Sequence, residues 1–258
     1  MIGTPYGVLV LGGTQDAREL AGALVTDASL RVVSSLAGRT NAPLLPPGEL
    51  RAGGFGGADG LTAYLRTQRI AAVVDATHPF AARMSENAVA ACAAAHVPLV
   101  VLERPPWQAR PDDRFIDVPD ATTAAEVAAA TGRRIFVTVG RQELAPFARV
   151  ADRFVLVRCI DAPDPMTLPP HGELVLARGP FAYADELALM RTHTIDCIVA
   201  KNSGGTATYA KIDAARTLGI PVVMIARPAR ARNVSSVVAV ASAARWVRAK
   251  LASGAVAR

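Results

Sequence analysis

The sequence predicts an α/β protein with two domains, each built on a mainly parallel sheet. Short apolar runs alternate along the chain with segments whose apolar residues recur at helical spacing. Hydrophobic residues make up 51% of the chain and aromatic residues only 5%, a composition that suits parallel strands covered by helices. A proline-rich break, Arg104-Pro105-Pro106-Trp107, divides the pattern. We therefore expect an N-terminal domain over residues 1–108, a C-terminal domain over residues 109–258, and an active-site cleft between the two domains.

The chain opens with a nucleotide-binding pattern. The strand Gly7–Leu11 runs into the turn Gly12-Gly13-Thr14, and Asp16 and Glu19 have capping-box spacing for the helix that follows. A second strand, Leu30–Leu36, completes the strand–turn–helix–strand unit that opens Rossmann-like folds. The full G-x-G-x-x-G fingerprint is absent. Because the second half of the chain repeats the same alternation, we predict Rossmann-like folds for both domains.

The end of the second strand favours NADP(H) over NAD(H). Enzymes that use NAD place an acidic residue there, which binds the ribose 2′-hydroxyl and repels a 2′-phosphate. This chain has Ser34, Ser35 and Arg39 instead, and no acid before Glu49. Hydroxyls and a guanidinium can pair with a phosphate. We expect these three residues to face the 2′-phosphate, the alternative being that Arg39 is a solvated loop residue.

Two further loops follow predicted strands in the first half. Gly53–Gly57 places four glycines around Phe55, which indicates either a backbone that wraps closely around a ligand or a flexible loop. The strand Ile70–Asp75 ends in Ala76-Thr77-His78-Pro79-Phe80. His78 therefore lies at the carboxyl edge of the sheet, where open α/β sheets bind ligands. Its alternative role is to fix the loop by hydrogen bonding.

Basic or glycine residues end several strands of the second half. They are Gly140-Arg141, Arg178-Gly179, Lys201–Gly205 and Arg227. Carboxyl ends of parallel strands meet at one edge of a sheet, so this arrangement predicts a cleft for a small, multiply charged anion. The stretch Lys201-Asn202-Ser203-Gly204-Gly205 leads from a strand into a helix, and such a turn favours an anion or a polarised oxygen. The alternative is a tight strand-to-helix turn with a solvated lysine. Trp107 at the domain junction either packs over a flat ligand or belongs to the core.

Composition excludes several classes of protein. No apolar run approaches the roughly 20 residues that a bilayer requires. The first residues show no charged segment followed by an apolar core, so we expect no secretory leader. The formal charge of +6 comes mostly from scattered arginines, without a basic block that would indicate nucleic-acid binding. Three widely spaced cysteines in apolar surroundings indicate a reduced, cytoplasmic protein without a disulfide or a metal set. We expect a monomer or a small homo-oligomer.

Several blocks together resemble the precorrin-6A reductase family of corrin (vitamin B12) biosynthesis. The resemblance covers nearly the whole chain in the expected order. Its most specific parts are Thr77-His78-Pro79-Phe80-Ala81 and the Lys201–Gly205 loop with Lys211. Further blocks are Gly12-Gly13-Thr14 with Asp16-Ala17-Arg18, Ala37-Gly38-Arg39-Thr40, Gly53–Gly57, Arg104–Trp107 and Gly179-Pro180-Phe181. The resemblance implies a two-domain, Rossmann-like enzyme that uses NADPH to reduce one double bond of a polycarboxylate tetrapyrrole ring.

The residue patterns and the resemblance together define a set of expected site residues. His78 and Lys201 are the catalytic candidates, either of which could polarise the ring or deliver a proton, as could solvent. The expected cofactor-binding residues are Gly12, Gly13, Thr14, Ser34, Ser35, Arg39, Gly54 and Thr77. The expected substrate-binding residues are Phe80, Trp107, Arg178, Asn202, Ser203, Gly204, Gly205, Lys211 and Arg227.

Some alternatives stay open at the level of sequence. The pyrophosphate could lie on the Asn202–Gly205 loop instead of Gly12–Thr14, and the natural ring could carry cobalt. A short-chain reductase or epimerase needs a Tyr-x-x-x-Lys pair, whereas Tyr209 and Lys211 have a different spacing. A non-catalytic NADP-sensing module would bind the cofactor without oxidising it.

Overall fold

The computed structural model describes residues 4–38, 43–229 and 234–253 of the 258-residue chain. In chain order its first elements are β1 (Tyr6–Leu11), α1 (Gln15–Val25), β2 (Leu30–Leu36), β3 (Glu49–Ala52), α2 (Gly57–Thr67), β4 (Ile70–Asp75), α3 (Ala82–Ala95) and β5 (Leu99–Leu102). They are followed by β6 (Phe115–Val118), α4 (Ala121–Thr131), β7 (Arg134–Val137), β8 (Phe154–Cys159), β9 (Gly172–Leu176), α5 (Tyr183–Thr192), β10 (Cys197–Lys201), α6 (Ala210–Leu218), β11 (Val222–Ile225), β12 (Ser236–Val237) and α7 (Val240–Ala252). Short 3-10 helices cover Arg141–Glu143, Ala145–Arg149 and Pro165–Thr167.

The chain divides into two compact units, which we call unit 1 and unit 2. Unit 1 comprises the residues up to Arg104 together with those from Pro228 onward, and unit 2 comprises Pro105–Arg227. Each contains a six-stranded sheet whose paired strands are all parallel. The predicted fold class, two Rossmann-like α/β domains with mainly parallel sheets, is therefore confirmed.

The sheet of unit 1 has the strand order β12-β5-β4-β1-β2-β3. Read from the other side, this is the 3-2-1-4-5-6 order of dinucleotide-binding folds, with β12 in the sixth position. The order reverses between β1 and β4, and ligands of open α/β sheets bind beside the carboxyl ends of the strands at such a point. The residues that follow Leu11 and Asp75 therefore lie where a ligand of this sheet is expected to bind.

The sheet of unit 2, β6-β11-β10-β7-β8-β9, repeats this order. Its strands β7 to β11 correspond in sequence to β1 to β5, so the reversal falls between β7 and β10. The sixth position is filled by β6, which pairs with β11, just as β12 pairs with β5 in unit 1. Each sheet thus receives its sixth strand from the segment that follows the first five strands of the other unit.

Helices pack against both sheets and cover the unit 1 sheet on two faces. In unit 1, α1 and α7 pack against one face through a core that includes Val10, Leu20 and Val247, and α2 and α3 cover the other through Leu9 and Leu61. In unit 2, α5 and α6 pack against the face that carries Phe136, Leu156 and Ile198. Burial of such apolar side chains contributes about 1.5–3 kcal/mol each to folding.

The structure corrects the expected domain composition at the C-terminus. All of residues 109–258 were expected to form the C-terminal domain, whereas β12 and α7 belong to unit 1. The physical reason is local: Ser236 pairs with Val101 of β5, and Ala243, Val247 and Leu251 of α7 are buried against the unit 1 sheet. The C-terminal segment therefore completes the first sheet and not the second.

Candidate functional site

The turn after β1 is built around Thr14. Thr14 is the N-cap of α1, and its Oγ1 accepts the Ala17 N–H at 3.1 Å and donates to the Ala76 carbonyl at 2.8 Å. The expected capping box on Asp16 and Glu19 was wrong, because Thr14 is the N-cap and the helix begins at the next residue. Asp16 lies within the first turn of the helix and forms an ion pair with Arg104 at 3.6 Å. The Thr14 side chain thereby joins the β1 and β4 loops at the strand reversal.

Gly12 and Gly13 leave this turn open. Gly13 has a φ of +104°, and a Cβ placed on it would have no neighbour within 4 Å. The region is disfavoured for residues with side chains, so glycine both permits the turn and keeps space above it. The capped helix start presents backbone N–H groups and the positive end of the helix dipole beside that space.

The positions of Ser34 and Ser35 do not support the expected contacts to a 2′-phosphate. Both residues lie inside β2, where they are 2% and 6% exposed, and successive strand residues point to opposite faces of the sheet. Ser34 Oγ is buried and makes no hydrogen bond within the described part of the chain. After β2 ends at Leu36, the chain continues into exposed Ala37 and Gly38, and Arg39 lies outside the described residues.

The Gly53–Gly57 loop is ordered by Arg51, which the sequence analysis missed. The Arg51 guanidinium donates to the carbonyls of Gly53 and Gly54 at 2.5 and 2.7 Å and stacks over the Phe55 ring at 3.7 Å. A Cβ on Gly60 would lie 1.8 Å from the Phe55 carbonyl oxygen, so α2 approaches the loop closely. An arginine just before a glycine cluster was the available signal. Gly54 thus belongs to a fixed loop at the carboxyl end of β3.

The loop after β4 is organised by a buried carboxylate. Asp75 is 1% exposed and accepts hydrogen bonds from the Thr77 N–H at 3.0 Å, the Thr77 hydroxyl at 2.6 Å and the Ser85 hydroxyl at 2.5 Å. His78 Nδ1 accepts the Phe80 N–H at 3.2 Å. An accepting Nδ1 assigns the proton of the neutral ring to Nε2. The Phe80 ring lies beside the imidazole, with 5.6 Å between ring centroids.

Five of the six strands in the unit 2 sheet, β7 to β11, carry a basic residue at or near their carboxyl ends. In sheet order they are Arg227, Lys201, Arg141, Arg158 and Arg178. Because the strands are parallel, these residues share one edge of the sheet. Arg158 was not among the expected residues; an arginine inside the apolar strand Phe154–Cys159 was its signal.

The loop after β10 is held by Asn202 and Trp107. The Trp107 N–H donates to Asn202 Oδ1 at 2.7 Å, and Asn202 Nδ2 donates back to the Trp107 carbonyl at 3.0 Å. Trp107 Nε1 donates to the Gly205 carbonyl at 2.8 Å, and Arg227 Nε donates to the Asn202 carbonyl at 2.7 Å. Trp107 is 9% exposed. Asn202 and Trp107, both expected to touch substrate, therefore fix the loop that carries Ser203, Gly204 and Gly205.

This loop does not open a helix directly. Gly204 and Gly205 have positive φ values of 66° and 71°, and α6 begins only at Ala210. In the corresponding position after β7, the chain forms the 3-10 helix Arg141–Glu143 rather than an α-helix. Only unit 1, through α1, therefore follows the first strand at the reversal with a capped α-helix.

Lys211 is buried within unit 2 instead of facing the sheet edge. It is 5% exposed, and its Nζ donates to the Thr208 carbonyl at 3.0 Å and lies 5.5 Å from the centroid of the Trp107 ring. Burial, reinforced by the nearby Arg158 charge and opposed by Glu186, lowers the pKa of Lys211 to about 7. The expected contact between Lys211 and substrate is not supported by this position.

Arg158 and Glu186 form a buried ion pair beside Lys211. They are 8% and 2% exposed; Arg158 Nη1 contacts Glu186 Oε1, and Nη2 donates to Oε2 at 3.1 Å. The Arg158 guanidinium also stacks on the Phe181 ring at 3.7 Å. A bidentate geometry and an aromatic neighbour stabilise a charge that burial alone would disfavour.

Lys201 pairs with Glu143, a residue that the sequence analysis also missed. Lys201 Nζ lies 3.0 Å from Glu143 Oε1, and the two side chains are 17% and 33% exposed. Glu143 ends the 3-10 helix that follows β7, so the pair lies at the carboxyl ends of the two strands between which the order reverses. An acid two residues after the basic strand end Gly140-Arg141 was its signal.

The described residues contain neither a cluster suited to a metal ion nor a helix suited to a membrane. In the ranges that the structure describes, no three His, Cys, Asp or Glu side chains are grouped so that they could hold a metal ion. The helices of these same ranges are all too short or too polar to cross a membrane. Cys92, Cys159 and Cys197 are buried free thiols, as predicted.

Comparison with known proteins decides the family. The family profile described as "Precorrin-6x reductase CbiJ/CobK" matches residues 7–248. The chain belongs to the precorrin-6x reductase family. The resemblance read from the sequence motifs is therefore confirmed.

Members of the precorrin-6x reductase family resemble the chain over almost its full length. A precorrin-6A reductase of Rhodococcus erythropolis is 52% identical over 93% of this chain and 96% of its own. A cobalt-precorrin-6A reductase of Priestia megaterium is 31% identical over 86% of this chain and 90% of its own. The solved structure of CobK precorrin-6A reductase superposes with a TM-score of 0.89 at 42% identity, covering 95% of this chain and 97% of that one.

Proposed function

We propose that this protein reduces precorrin-6A to precorrin-6B, with NADPH as the hydride donor. The observation that carries the proposal is the 52% identity, over 93% of the chain, to a precorrin-6A reductase. Relatives named for the cobalt-containing substrate are less similar, at 30–31% identity. This difference favours the metal-free ring over its cobalt complex.

The residues of unit 1 fit a dinucleotide. The open space above Gly13 and the capped start of α1 follow the carboxyl end of β1, and the Gly53–Gly57 loop follows that of β3, two strands away at the same edge of the sheet. Helix starts of this kind bind pyrophosphates. The loop of unit 2 that begins at Asn202 lacks an immediately following helix, which favours unit 1 for the pyrophosphate. Thr77 and Gly54 lie on the same edge and serve the same ligand.

The preference for NADPH is supported by the charges near β2. The first acid after this strand, Glu49, begins β3 and pairs with Arg31 at 2.9 Å, at the amino end of the sheet and away from the ligand edge. A 2′-phosphate beside Ala37 and Gly38 therefore meets no carboxylate from that segment. Arg39 follows directly in the sequence and supplies a positive charge.

Unit 2 supplies the groups for a polycarboxylate macrocycle. Arg178 and Arg227 lie at the edge where β9 and β11 end, and Ser203, Gly204 and Gly205 form the loop between Lys201 and α6. Guanidinium groups bind carboxylates in a bidentate manner. When bound, NADPH supplies the hydride, and the protein orients the ring and provides a proton. His78, whose Nε2 carries a hydrogen, and Lys201 are the candidate donors.

The test is direct. Purified protein, NADPH and metal-free precorrin-6A are mixed, and absorbance at the cofactor band is followed. We expect oxidation of NADPH with precorrin-6A, slower oxidation with its cobalt complex and weaker binding of NADH in a titration. Cofactor binding without any oxidation would instead identify an NADP-sensing module, and faster turnover of the cobalt complex would reassign the substrate.

A further inference from the structure

The ion pair between Glu143 and Lys201 is held in place by the ends of two neighbouring strands in unit 2. β7 and β10 are adjacent, with Val137 opposite Val199, and Lys201 is the last residue of β10. Thr138 Oγ1 donates to the Val199 carbonyl at 3.0 Å, which extends the pairing past the end of β7. Gly140, with a φ of +84°, then turns the chain into the 3-10 helix that ends at Glu143.

The support beneath Glu143 is rigid. Leu144, the next residue, and Phe147, three residues further on, are both fully buried. Their side chains anchor the segment in the core of unit 2, so Glu143 is held by packing as well as by its own ion pair. A carboxylate on such a support restricts where the flexible lysine side chain can place Nζ.

The same carboxylate changes what Lys201 can do. The lysine was expected either to grip a substrate carboxylate or to act in catalysis. Glu143 offsets the Lys201 charge, and a substrate carboxylate approaching Nζ would also approach the Glu143 oxygens and be repelled. Arg178 and Arg227 suit carboxylate binding better, since the guanidinium is planar and always charged.

We infer that Glu143 is a positioning residue that aims the Lys201 ammonium at the reacting double bond, and that Lys201 delivers the proton of the reduction. The inference rests on the proposed function. One carbon of the double bond gains the hydride, the neighbouring position gains a proton from Nζ, and the resulting Lys201 amine takes a proton from water. The hydride donor and water supply everything that the reduction consumes, so no further oxidant or reductant is required.

The test compares Glu143→Gln, Glu143→Asp and Lys201→Met with a matched control, Glu126→Gln, which removes an equal charge from an exposed position of α4. Turnover of precorrin-6A gives kcat and KM at saturating NADPH. We expect Glu143→Gln to lower kcat about 10- to 100-fold with KM within about twofold of wild type. Glu143→Asp keeps the charge and should recover most of the rate, and Glu126→Gln should change neither constant.

A second measurement does not depend on turnover. Binding of precorrin-6A is followed by quenching of tryptophan fluorescence in the wild type and in Glu143→Gln. If Lys201 instead binds a substrate carboxylate, replacing Glu143 by Gln removes the competing carboxylate from Lys201 and should tighten binding of precorrin-6A. A threefold or greater gain in affinity, or an unchanged kcat, overturns the inference. If the wild type binds precorrin-6A but does not oxidise NADPH, the proposed function fails, and the affinity comparison still decides the role of the pair.

Discussion

Asn202 and Trp107 are joined by a reciprocal pair of hydrogen bonds between a side-chain amide and a backbone. Oδ1 of Asn202 accepts the Trp107 N–H at 2.7 Å, and Nδ2 donates to the Trp107 carbonyl at 3.0 Å. The indole of Trp107 in turn donates to the Gly205 carbonyl at 2.8 Å. The shape of the loop from Lys201 to Gly205 is therefore imposed by a residue almost a hundred positions earlier in the chain.

Replacement of Asn202 tests this coupling. Asn202→Ala removes both bonds and leaves two polar backbone groups of a largely buried residue without partners, so we expect the free energy of unfolding to fall by about 2–4 kcal/mol. Urea unfolding measures the change. Ser203→Ala, in the neighbouring half-buried position, is the control and should cost less than about 1 kcal/mol. Equal midpoints for Asn202→Ala and wild type would contradict the coupling.

The Thr14 hydroxyl is predicted to serve stability and cofactor affinity together. Thr14→Val keeps the shape but removes the cap on Ala17 and the donor to the Ala76 carbonyl. We expect a loss of about 1–3 kcal/mol in the free energy of unfolding and weaker NADPH binding, measured by titration. Thr14→Ser retains the hydroxyl and should behave nearly as wild type. If both variants bind NADPH equally well, the capped turn does not form the cofactor site.

Lys211 predicts a specific dependence of stability on pH. Its pKa is lowered from 10.5 in the unfolded chain to about 7 in the folded one, so between these values the unfolded state binds more protons. The free energy of unfolding should therefore rise with pH over this range, by up to about 1.4 kcal/mol per pH unit, while below pH 7 the full cost of burying the charge is present. Arg158 of β8 and Glu186 of α5 face the amine, and Glu186 moderates the effect.

Urea unfolding of wild type and Lys211→Met between pH 6 and 9 checks this sign. We expect the variant to be the more stable at pH 6 and its advantage to shrink as the pH rises. Lys250→Met, on the exposed face of α7, should differ from wild type by a small, constant amount. A difference between Lys211→Met and wild type that does not vary with pH would show that the lysine does not titrate in this range.

The buried pair of Arg158 and Glu186 predicts strong non-additivity. Glu186→Gln leaves the buried guanidinium without its counter-charge, and we expect a loss of about 3–5 kcal/mol in the free energy of unfolding. The double change Arg158→Met with Glu186→Met removes both charges and should cost clearly less than the sum of the two single changes. A double-mutant cycle with denaturant unfolding measures the coupling. Additive costs would indicate that the pair is screened by water.

Most of the strands that sequence patterns predicted lie inside the sheets; the exception is the edge strand β9, predicted over Glu173–Ala177. Runs such as Ile70–Asp75 are buried throughout and stand out as apolar segments. The strands that were missed, β3, β6 and β12, all lie at sheet edges, where one side of the strand has no neighbour and fewer side chains are buried. Edge strands are short and polar for this reason, and their sequences lack the signal on which prediction depends.

The candidate site shows a similar division. The loops after β1, β4 and β10 were predicted because glycines, a histidine and a lysine follow apolar strands. The partners of those residues were not predicted: Glu143 pairs with Lys201, and Arg51 orders Gly53 and Gly54, through contacts between separate elements. The burial of Ser34, Ser35 and Lys211 was also not predicted, because the local sequence does not show whether a polar side chain in a strand or helix faces the core or the solvent.

The exchange of sixth strands has a consequence for synthesis on the ribosome. All strands of the unit 2 sheet lie between Phe115 and Ile225, so a nascent chain contains that sheet in full before Ser236 has been made. The first five strands of unit 1 are translated earlier, but the unit 1 sheet is complete only after β12 and α7 have been made. Until then the edge of β5 and the apolar residues that α7 covers are exposed. A chain that stops short of its last 25 or so residues loses this cover and exposes a parallel strand edge to aggregation.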